Sequence, residues 1–357
     1  MKLPPLISVP LSWLYGMVVH IRHKLFDLKI LRSEEFDIPV VCIGNLTVGG
    51  TGKTPVAELL IERFSEHYRV GVLSRGYRRR TKGFVLSTPA SSARTIGDEP
   101  RQMKLKYPSV PVAVCEKRAE GIRLLRKAHP EIELIILDDA FQHRYVEPWV
   151  NILLMDYNNP VYRDRLLPWG RLRDTRNQIH RANFVLVTKC PDDLNPLDMR
   201  IVINSLGLFP YQSLYFTRMR QGEITPLFAD RAVGKVREGD PVIAMSGIAN
   251  PVPLLENLRK RFDVVAELTF DDHHTYRLSD MRRLEALFAA YPDAVVLTTE
   301  KDAVKLTNRK KVPEAVQQRL YYVPIYVSFV ADSESEFLRQ LELYVRTNQK
   351  YSLLHPE

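Results

Sequence analysis

The sequence is poor in cysteine and has no cysteine pair with the spacing of a zinc site. Cys42, Cys115 and Cys190 are its three cysteines, and no C-x-x-C pair occurs. Disulfide scaffolds and zinc folds need paired cysteines, so both classes are disfavoured. Cys42 and Cys115 lie at apolar runs and are predicted to be buried strand residues. A reducing compartment such as the cytoplasm fits this pattern.

A long hydrophobic run is also missing, although residues 6–19 are nearly all apolar and include Trp13 and Tyr15. As a helix, about 14 residues would reach only about 21 Å, which is less than the ~30 Å hydrocarbon core of a bilayer. A spanning helix is therefore disfavoured, and so is a signal peptide, because no small-residue cleavage site follows. The basic residues that follow are His20, Arg22, His23, Lys24, Lys29 and Arg32. We expect an interfacial helix over residues 1–30 on anionic lipid, with a buried core helix as the alternative.

Acidic residues are too few to balance the basic ones. The chain has 51 Lys and Arg against 42 Asp and Glu, which gives a net charge of +9. An anionic partner is expected, and nucleic acid, acidic lipid and phosphorylated small molecules all fit. With 357 residues, 45% of them hydrophobic and no internal repeat, the chain has the composition of a globular protein with room for two domains.

The most informative stretch covers residues 42–55 and reads CIGNLTVGGTGKTP. An apolar run ends there in a Gly-rich turn, and a helical pattern follows over residues 56–64. Strand, loop and helix N-terminus in this order form a phosphate cradle, with a Gly-rich loop that binds nothing as the alternative. Thr47 stands where the strict pattern has Gly. The predicted nucleotide-binding residues are Gly49, Gly50, Thr51, Gly52, Lys53 and Thr54, and Thr54 is also predicted to bind Mg²⁺.

Short runs rich in Val, Ile and Leu alternate with amphipathic stretches through the first two-thirds of the chain. This pattern predicts an α/β fold with a parallel sheet covered on both faces, of the P-loop NTPase kind. Ligands of such sheets bind beyond the carboxyl ends of the strands. The predicted units are an N-terminal membrane-associated helix (1–30), a P-loop domain (31–207), a β-rich connector (208–240) and a second, smaller α/β domain (241–350).

Two carboxylates, Asp138 and Asp139, follow the apolar run of residues 134–137. A buried strand that delivers acids beside a phosphate loop suits metal and phosphate chemistry, and two solvated aspartates are the alternative. His143, just beyond, could face a phosphorylated substrate or solvent. Basic residues also follow the second and third predicted strands, at 75–80 and at Arg118, where guanidinium groups could clamp an anion.

A further polar set lies far along the chain, where His273 and His274 follow two aspartates. No Cys or Glu spacing completes a zinc set. An Asp-supported imidazole that takes a proton from a hydroxyl is therefore favoured over two solvated histidines. Asp98 could orient such a base or a metal, or could cap a helix. Residues 299–302 could recognise a ribose or base, or could begin a capped helix.

Together these motifs resemble those of the tetraacyldisaccharide 4′-kinase family of lipid A biosynthesis in Gram-negative bacteria. The resemblance covers nearly the whole chain, and Thr47 agrees with it. The motifs that carry it are residues 10–16 (PLSWLYG), 44–55, 74–77 (SRGY), 97–100 (GDEP), 137–143, 167–174 and 299–305.

The resemblance implies an enzyme that transfers the γ-phosphate of ATP, with Mg²⁺, to the 4′-hydroxyl of an acylated glucosamine disaccharide 1-phosphate, giving lipid IVA. It implies a monomer at the cytoplasmic face of the inner membrane that binds no nucleic acid. Asp98 and His273 would activate the hydroxyl, and Asp138 and Asp139 would serve the metal and the phosphoryl group. The implied substrate residues are Arg75, Tyr77, Arg118, Gln142 and His143, and the implied metal ligands are Thr54, Asp139 and Asp174.

Two positions depart from the family pattern. Ala140 stands where Gly is usual, which should restrict that turn, and Asp174 replaces a usual Glu with a shorter side chain. Because Lys53 and His273 are far apart in sequence, we expect domain closure to assemble the site and exclude water. The rival classes are a membrane-associated ATPase or GTPase switch, which usually carries an extra Lys early in the loop, and a non-enzymatic lipid binder.

Overall fold

The computed structural model describes residues 4–354 and contains two sheets flanked by helices. The α-helices are α1 Pro5–Asp27, α2 Lys53–Phe64, α3 Ala93–Ile96, α4 Asp98–Lys106, α5 Arg118–Ala128, α6 Pro196–Leu206, α7 Val252–Arg261, α8 Leu278–Ala290, α9 Glu300–Ala303, α10 Glu314–Arg319 and α11 Glu334–Leu354. The strands are β1 Val40–Asn45, β2 Val70–Ser74, β3 Val85–Leu86, β4 Val112–Val114, β5 Leu134–Leu137, β6 Val150–Asp156, β7 Phe184–Thr188, β8 Ser213–Gln221, β9 Thr225–Pro226, β10 Pro241–Ser246, β11 Asp263–Thr269, β12 Val295–Thr299, β13 Leu320–Val323 and β14 Ile325–Phe329.

The larger sheet has nine strands in the order β14-β8-β7-β6-β1-β5-β2-β4-β3. Its strands from β8 to β4 are parallel, and only the edge strands β14 and β3 pair antiparallel. Val40 and Cys42 of β1 point into one apolar core, and Val41 and Ile43 point into another on the opposite face. Both faces are buried, as near-continuous apolar strands require. The predicted α/β fold with a parallel sheet is confirmed.

The smaller sheet has five strands in the order β11-β10-β12-β13-β9, with β9 antiparallel. It too separates two apolar cores. The chain enters this sheet after β8 and leaves it between β13 and β14. The two crossing segments lie side by side, because Gly222 N donates a hydrogen bond to Pro324 O (2.9 Å).

Sheet membership differs from the predicted ranges at two places. The predicted connector, residues 208–240, is divided between the sheets, because β8 pairs with β7 and only β9 joins the smaller sheet. The run LYYVPIYV of residues 320–327, which the sequence predicts to be a single strand, forms two strands in different sheets. They are separated by Pro324, which has no N–H to continue a ladder. α11 also returns to the larger sheet, where Phe337 and Leu341 are buried in its core.

Helix α1 turns its polar side inward. Ser8, Ser12 and His23 are buried, whereas Trp13 is 76% exposed. The exposed apolar residues recur at helical spacing along the outer face and are Leu6, Ile7, Leu11, Trp13, Leu14, Met17, Val18 and Ile21. An apolar stripe of this size on the surface marks an interaction site. α1 is therefore not a buried core helix.

The span of α1 agrees with the helix expected within residues 1–30. It has 23 residues, or about 35 Å, but its nearly all-apolar run covers only residues 6–19, and basic residues follow. Within the described residues, no helix combines the length and the apolar composition needed to cross a membrane.

Candidate active site

The predicted phosphate loop connects β1 to α2 at the carboxyl edge of the larger sheet. β1 ends at Asn45 and α2 begins at Lys53, so Lys53 and Thr54 lie at a helix N-terminus, where free N–H groups and the helix dipole favour an anion. Gly49 (φ 111°) and Gly52 (φ 83°) have positive φ angles that other residues rarely adopt. The loop thus has the backbone of an anion cradle.

Neighbouring side chains hold this loop in place. Thr188 Oγ1 donates to Thr51 O (2.8 Å), and Lys189 Nζ donates to Gly50 O. Asn45 Nδ2 donates to Thr51 Oγ1 (2.9 Å). These contacts fix the loop before any ligand arrives, which lowers the reorganisation that binding requires.

Asp139 faces the lysine of the phosphate loop. Its carboxylate lies 3.9 Å from Lys53 Nζ and accepts hydrogen bonds from Arg173. Burial acts to raise its pKa, but Lys53 and Arg173 outweigh burial and lower the pKa of Asp139 to about 2. Asp139 also has a φ of 47°, so the unusual backbone conformation of this turn falls on Asp139 and not on Ala140.

Asp138 has a different environment from its neighbour. It is buried, and its Oδ2 accepts a hydrogen bond from Ser74 Oγ (3.0 Å). Burial, followed by the charge of Asp139, raises the pKa of Asp138 to about 6. Adjacent carboxylates whose pKa values are pushed apart are typical of functional sites.

Asp98 and His273 meet between the two sheets. His273 Nδ1 lies 2.9 Å from Asp98 Oδ2, although the two residues are 175 positions apart. Asp98 is the first residue of α4, and its carboxylate contacts the imidazole and does not cap the helix. His273 follows β11 and has a φ of 63°, a conformation that costs about 1–3 kcal/mol outside glycine. The structure therefore brings together the residues predicted to form an Asp–His pair.

His274 is held elsewhere. Its Nε2 lies 2.9 Å from Asp280 Oδ2, and its ring stacks on Phe270 with 4.3 Å between ring centroids. Both partners belong to the smaller sheet and its helices. Of the two adjacent histidines, His273 is thus the one that faces the larger sheet.

Two lysines surround the Asp98–His273 pair. Lys305 Nζ lies 3.7 Å from Asp98 Oδ2, and Lys301 Nζ lies 3.4 Å from both His273 Nε2 and Glu99. Burial acts to raise the pKa of Asp98, but the hydrogen bond to His273 and the charge of Lys305 lower it overall. Asp98 therefore remains a carboxylate.

Residues 299–302 begin a capped helix, α9, since the Thr299 side chain accepts a hydrogen bond from the N–H of Asp302.

The predicted substrate residues form two groups. Arg118 N donates to His143 Nε2 (3.2 Å), and Gln142 Nε2 donates to the carbonyl of Asn45 beside the phosphate loop. Burial, followed by the charge of Arg118, lowers the pKa of His143 to about 4, so its ring is a neutral acceptor.

The second group, Arg75 and Tyr77, is exposed beyond β2. The Tyr77 ring lies 5.5 Å from the ring of His273.

Arg118, of the first group, is buried and donates to Cys115 O (2.8 Å), and among the described residues its Nε has no hydrogen-bond partner. A donor of this kind suits an anionic ligand.

Asp174 does not join the Asp pair. It is buried, its Oδ1 lies 2.6 Å from His23 Nε2 of α1, and it accepts from Thr175 N (2.8 Å). The carboxylate is used to hold α1, so the position of Asp174 does not support the predicted metal role. Its neighbour Arg173 points to Asp139 instead.

Arg173 and Lys301 lie at the site, although the sequence predicts no role for either of them. Arg173 belongs to the 167–174 motif, but it is one of 51 Lys and Arg residues and the motif does not single it out. It reaches the site because Arg173 N donates to Leu46 O (2.8 Å), which ties its loop to the end of β1. Lys301 stood in a motif that a helix cap explained equally well, and only the folded chain places it beside His273.

A buried acidic cluster joins the two sheets behind the Asp98–His273 pair. Glu58 of α2 accepts hydrogen bonds from Gln102 (2.8 Å) and Lys106 (2.7 Å) of α4, and Lys106 also lies 3.5 Å from Glu300 of α9. Burial, followed by the charge of Glu300, raises the pKa of Glu58 to about 7. Of these three helices, α4 also carries Asp98 and α9 also carries Lys301, so this cluster helps to set the separation of Asp98 from Lys301.

The Glu58→Gln variant is expected to lose part of the pH dependence of stability. Since the pKa of Glu58 is raised on folding, the folded state binds a proton that the unfolded chain has lost, and stability falls as pH rises from about 4.5 to about 7. Gln mimics the protonated acid, so the Tm of the variant should exceed that of wild type by a few degrees at pH 8 and match it at pH 5. Glu62→Gln, on the exposed side of α2, is the control. Equal pH profiles for wild type and Glu58→Gln would contradict the assignment.

Comparison with known proteins identifies the family. Residues 5–344 match the model of the family described as tetraacyldisaccharide-1-P 4′-kinase. The tetraacyldisaccharide 4′-kinase of Bacteroides thetaiotaomicron is 44% identical over 356 residues, with 96% of this chain and 94% of the relative covered. That of Phocaeicola vulgatus is 44% identical over 350 residues, with 96% of each chain covered.

A solved structure agrees with these sequence matches. The crystal structure of LpxK from Aquifex aeolicus in complex with ATP is similar with a TM-score of 0.73 and 27% identity, over 94% of this chain and 98% of that one. The similarity thus includes both sheets and the residues between them. The chain belongs to the tetraacyldisaccharide-1-P 4′-kinase family.

Proposed function

We propose that the protein transfers the γ-phosphate of ATP to the 4′-hydroxyl of a tetraacyldisaccharide 1-phosphate, giving lipid IVA for lipid A. Two observations carry the proposal: a phosphate loop on the larger sheet, and an Asp–His pair in which the chain of the smaller sheet supplies the imidazole to Asp98. A nucleotide switch without an acceptor gives no role to such a pair. The identity of the acceptor, a tetraacyldisaccharide, is inferred from the names of the family and of the relatives.

The triphosphate of ATP would lie on residues 49–54. The related LpxK from Aquifex aeolicus was crystallised in complex with ATP. In this chain, Lys53 and the amides at the start of α2 face the place of the phosphates. Arg118, whose buried Nε has no partner within residues 4–354, would contact an outer phosphate oxygen.

The residues at this loop also fit Mg²⁺. In kinases Mg²⁺ is held by one or two oxygen side chains together with the phosphates and not by an all-protein cage. Thr54 and the ionised Asp139 supply such oxygens, and within residues 4–354 no three His, Cys, Asp or Glu side chains form a metal cluster. Mg²⁺, when bound, would neutralise charge on the phosphates. Asp174 is left out of this ligand set because it pairs with His23.

In the transfer, the 4′-oxygen bonds to the γ-phosphorus, and the bond from that phosphorus to the β–γ bridging oxygen breaks. ADP leaves with the electron pair, and the hydroxyl proton passes to the Asp98–His273 pair. Among the described residues, the hydrogen bond with His273 and the ion pair with Lys305 both reach Oδ2 of Asp98, and no hydrogen bond reaches Oδ1, so Oδ1 is the free acceptor. Positioning and charge neutralisation by Lys53 do most of the work in such a reaction.

The acceptor carries acyl chains, so the site must work at a lipid surface. We propose that α1 lies in the interface at the cytoplasmic face of the inner membrane, with its apolar stripe toward the acyl chains. The exposed Lys24, Lys29 and Arg32 would lie at anionic headgroups. The helix would then hold the sugar head of the acceptor close to Gln142 and Arg173, which α1 contacts at the carboxyl edge of the larger sheet.

Replacing Trp13 and Leu14 with Glu is expected to weaken binding to phosphatidylglycerol-containing vesicles by about 100-fold or more, because burying each of these two large apolar side chains contributes about 1.5–3 kcal/mol. Sedimentation with vesicles measures the change. Tyr326→Glu is the control, since Tyr326 is also exposed but lies on the edge strand β14. Vesicle affinity that is equal in the double variant and in wild type would place the membrane contact elsewhere.

The acceptor dependence of ATP consumption tests the proposed reaction. ATP turnover should rise when acylated disaccharide 1-phosphate is added and should remain low without it. ATP turnover that is equal with and without this acceptor would contradict the proposal and favour a nucleotide switch.

A further inference from the structure

Hydrogen bonds from the inward face of α1 reach residues of the active site. Tyr15 Oη donates to Arg173 O (2.7 Å), and the guanidinium of Arg22 donates to Gln142 O (3.0 Å). A helix that served only as a membrane anchor would need apolar packing and no such contacts. These two contacts from α1 fall on residues whose own side chains extend to Asn45, beside the phosphate loop.

The side chains of Arg173 and Gln142 converge on one residue. Arg173 donates to the carbonyl (3.3 Å) and the side-chain oxygen of Asn45, and Gln142 Nε2 donates to the same carbonyl. Asn45 is fully buried at the end of β1 and donates to Thr51 of the phosphate loop (2.9 Å). A continuous path of hydrogen bonds therefore runs from α1 to the loop.

A buried pair fixes the position of α1 on this path. His23 is 3% exposed and Asp174 is 1% exposed. Arg144 donates to His23 Nδ1 (3.1 Å), so the ring hydrogen is on Nε2 and points to Asp174. Breaking a buried pair of this kind is costly because the carboxylate is left uncompensated. Displacement of α1 would thus disturb residues 173–174 directly.

We propose that Tyr15 and Arg22 of α1 are positioning residues for ATP binding, acting through Arg173, Gln142 and Asn45. The lipid-facing helix is then also a structural part of the nucleotide site. Arg173 holds Asp139 opposite Lys53, and Asn45 holds Thr51, so loss of the contacts from α1 loosens both sides of the phosphate cradle. The proposal rests on the proposed function only in so far as ATP is the nucleotide.

The affinity of the full chain for a non-hydrolysable ATP analogue tests this role. Tyr15→Phe removes one hydroxyl donor, and the Kd for the analogue is expected to rise by about 3- to 10-fold. Ser12→Ala is the matched control, because Ser12 Oγ on the same buried face donates to a main-chain carbonyl, that of Leu166 (2.9 Å), outside the path to Asn45. Its Kd is expected to stay within about 2-fold of wild type. Arg22→Met, which removes the donor to Gln142, is the second variant and should raise the same Kd.

A double-mutant cycle separates this role from general destabilisation. In an Arg173→Ala background, Tyr15→Phe should change the Kd by less than about 2-fold, since the path is already broken. Equal Kd values for Tyr15→Phe, Arg22→Met and wild type would overturn the proposal, and so would an equal loss in Ser12→Ala or full additivity with Arg173→Ala. The assay contains no acceptor. A failure to phosphorylate the disaccharide would therefore overturn the proposed function and leave this result standing.

Discussion

Replacing His273 with Ala is expected to lower kcat by about 10²–10⁴ while the affinity for ATP stays nearly unchanged. His273 contacts Asp98 at 2.9 Å, and neither residue belongs to the phosphate loop between β1 and α2. The variant loses the orientation and charge balance of the proton acceptor, but the anion cradle is intact. Turnover with acylated disaccharide 1-phosphate and calorimetric titration with ATP measure the two quantities.

The neighbouring histidine provides the control. His274→Ala removes a ring that pairs with Asp280 and stacks on Phe270, away from Asp98, so kcat should change only a few-fold. Asp98→Asn should match His273→Ala, and the double variant should be little slower than either, because the two residues act as one unit. Loss of ATP binding in His273→Ala, or an equal loss of turnover in His274→Ala, would show that the pair has been assigned wrongly.

Replacing Lys53 with Ala should have a similarly large effect through a different step. Lys53 is the first residue of α2 and lies 3.9 Å from Asp139. Its loss removes the positive charge that balances both the phosphates and that carboxylate. We expect kcat/KM for ATP to fall by about 10²–10³, the loss typical of one preorganised donor to a developing charge.

A second lysine at the same edge of the sheet controls for the loss of charge. Lys117 is exposed at the N-cap of α5, and Lys117→Ala should leave kcat/KM for ATP unchanged within a factor of about two. Steady-state kinetics with varied ATP make the comparison. If Lys53→Ala retains wild-type kcat/KM, the loop does not hold the transferred phosphate.

The core of the larger sheet could be predicted from the sequence almost to the residue. The sequence predicts strands over residues 70–74, 112–114, 134–137 and 184–188, and β2, β4, β5 and β7 have these bounds. The agreement arises because a strand buried on both faces is a continuous apolar run that stops where polar residues begin. The assignment of β8 and β14 to the larger sheet could not be predicted. Their pairing joins residues about a hundred positions apart, and nothing local in either strand specifies the partner.

The site was predictable where a single segment carries it and not where distant segments meet. The phosphate loop and the two carboxylates after β5 follow apolar strands directly, so sequence alone located them. The roles of Arg173 and Asp174 depend on how their loop packs against β1 and α1, so the contacts of Arg173 with Asp139 and of Asp174 with His23 could not be predicted. The inward polar face of α1 could not be predicted from its own sequence either, because the apolar stripe of an amphipathic helix normally points to a core.

The fate of the γ-phosphate tests the kinase function most directly. With radiolabelled ATP and acylated disaccharide 1-phosphate, the wild-type protein should place the label on the 4′-oxygen of the disaccharide. His273→Ala, which still binds ATP, should transfer almost none. Release of the label as inorganic phosphate at the same rate with and without the disaccharide would contradict the assignment of this site to a 4′-kinase.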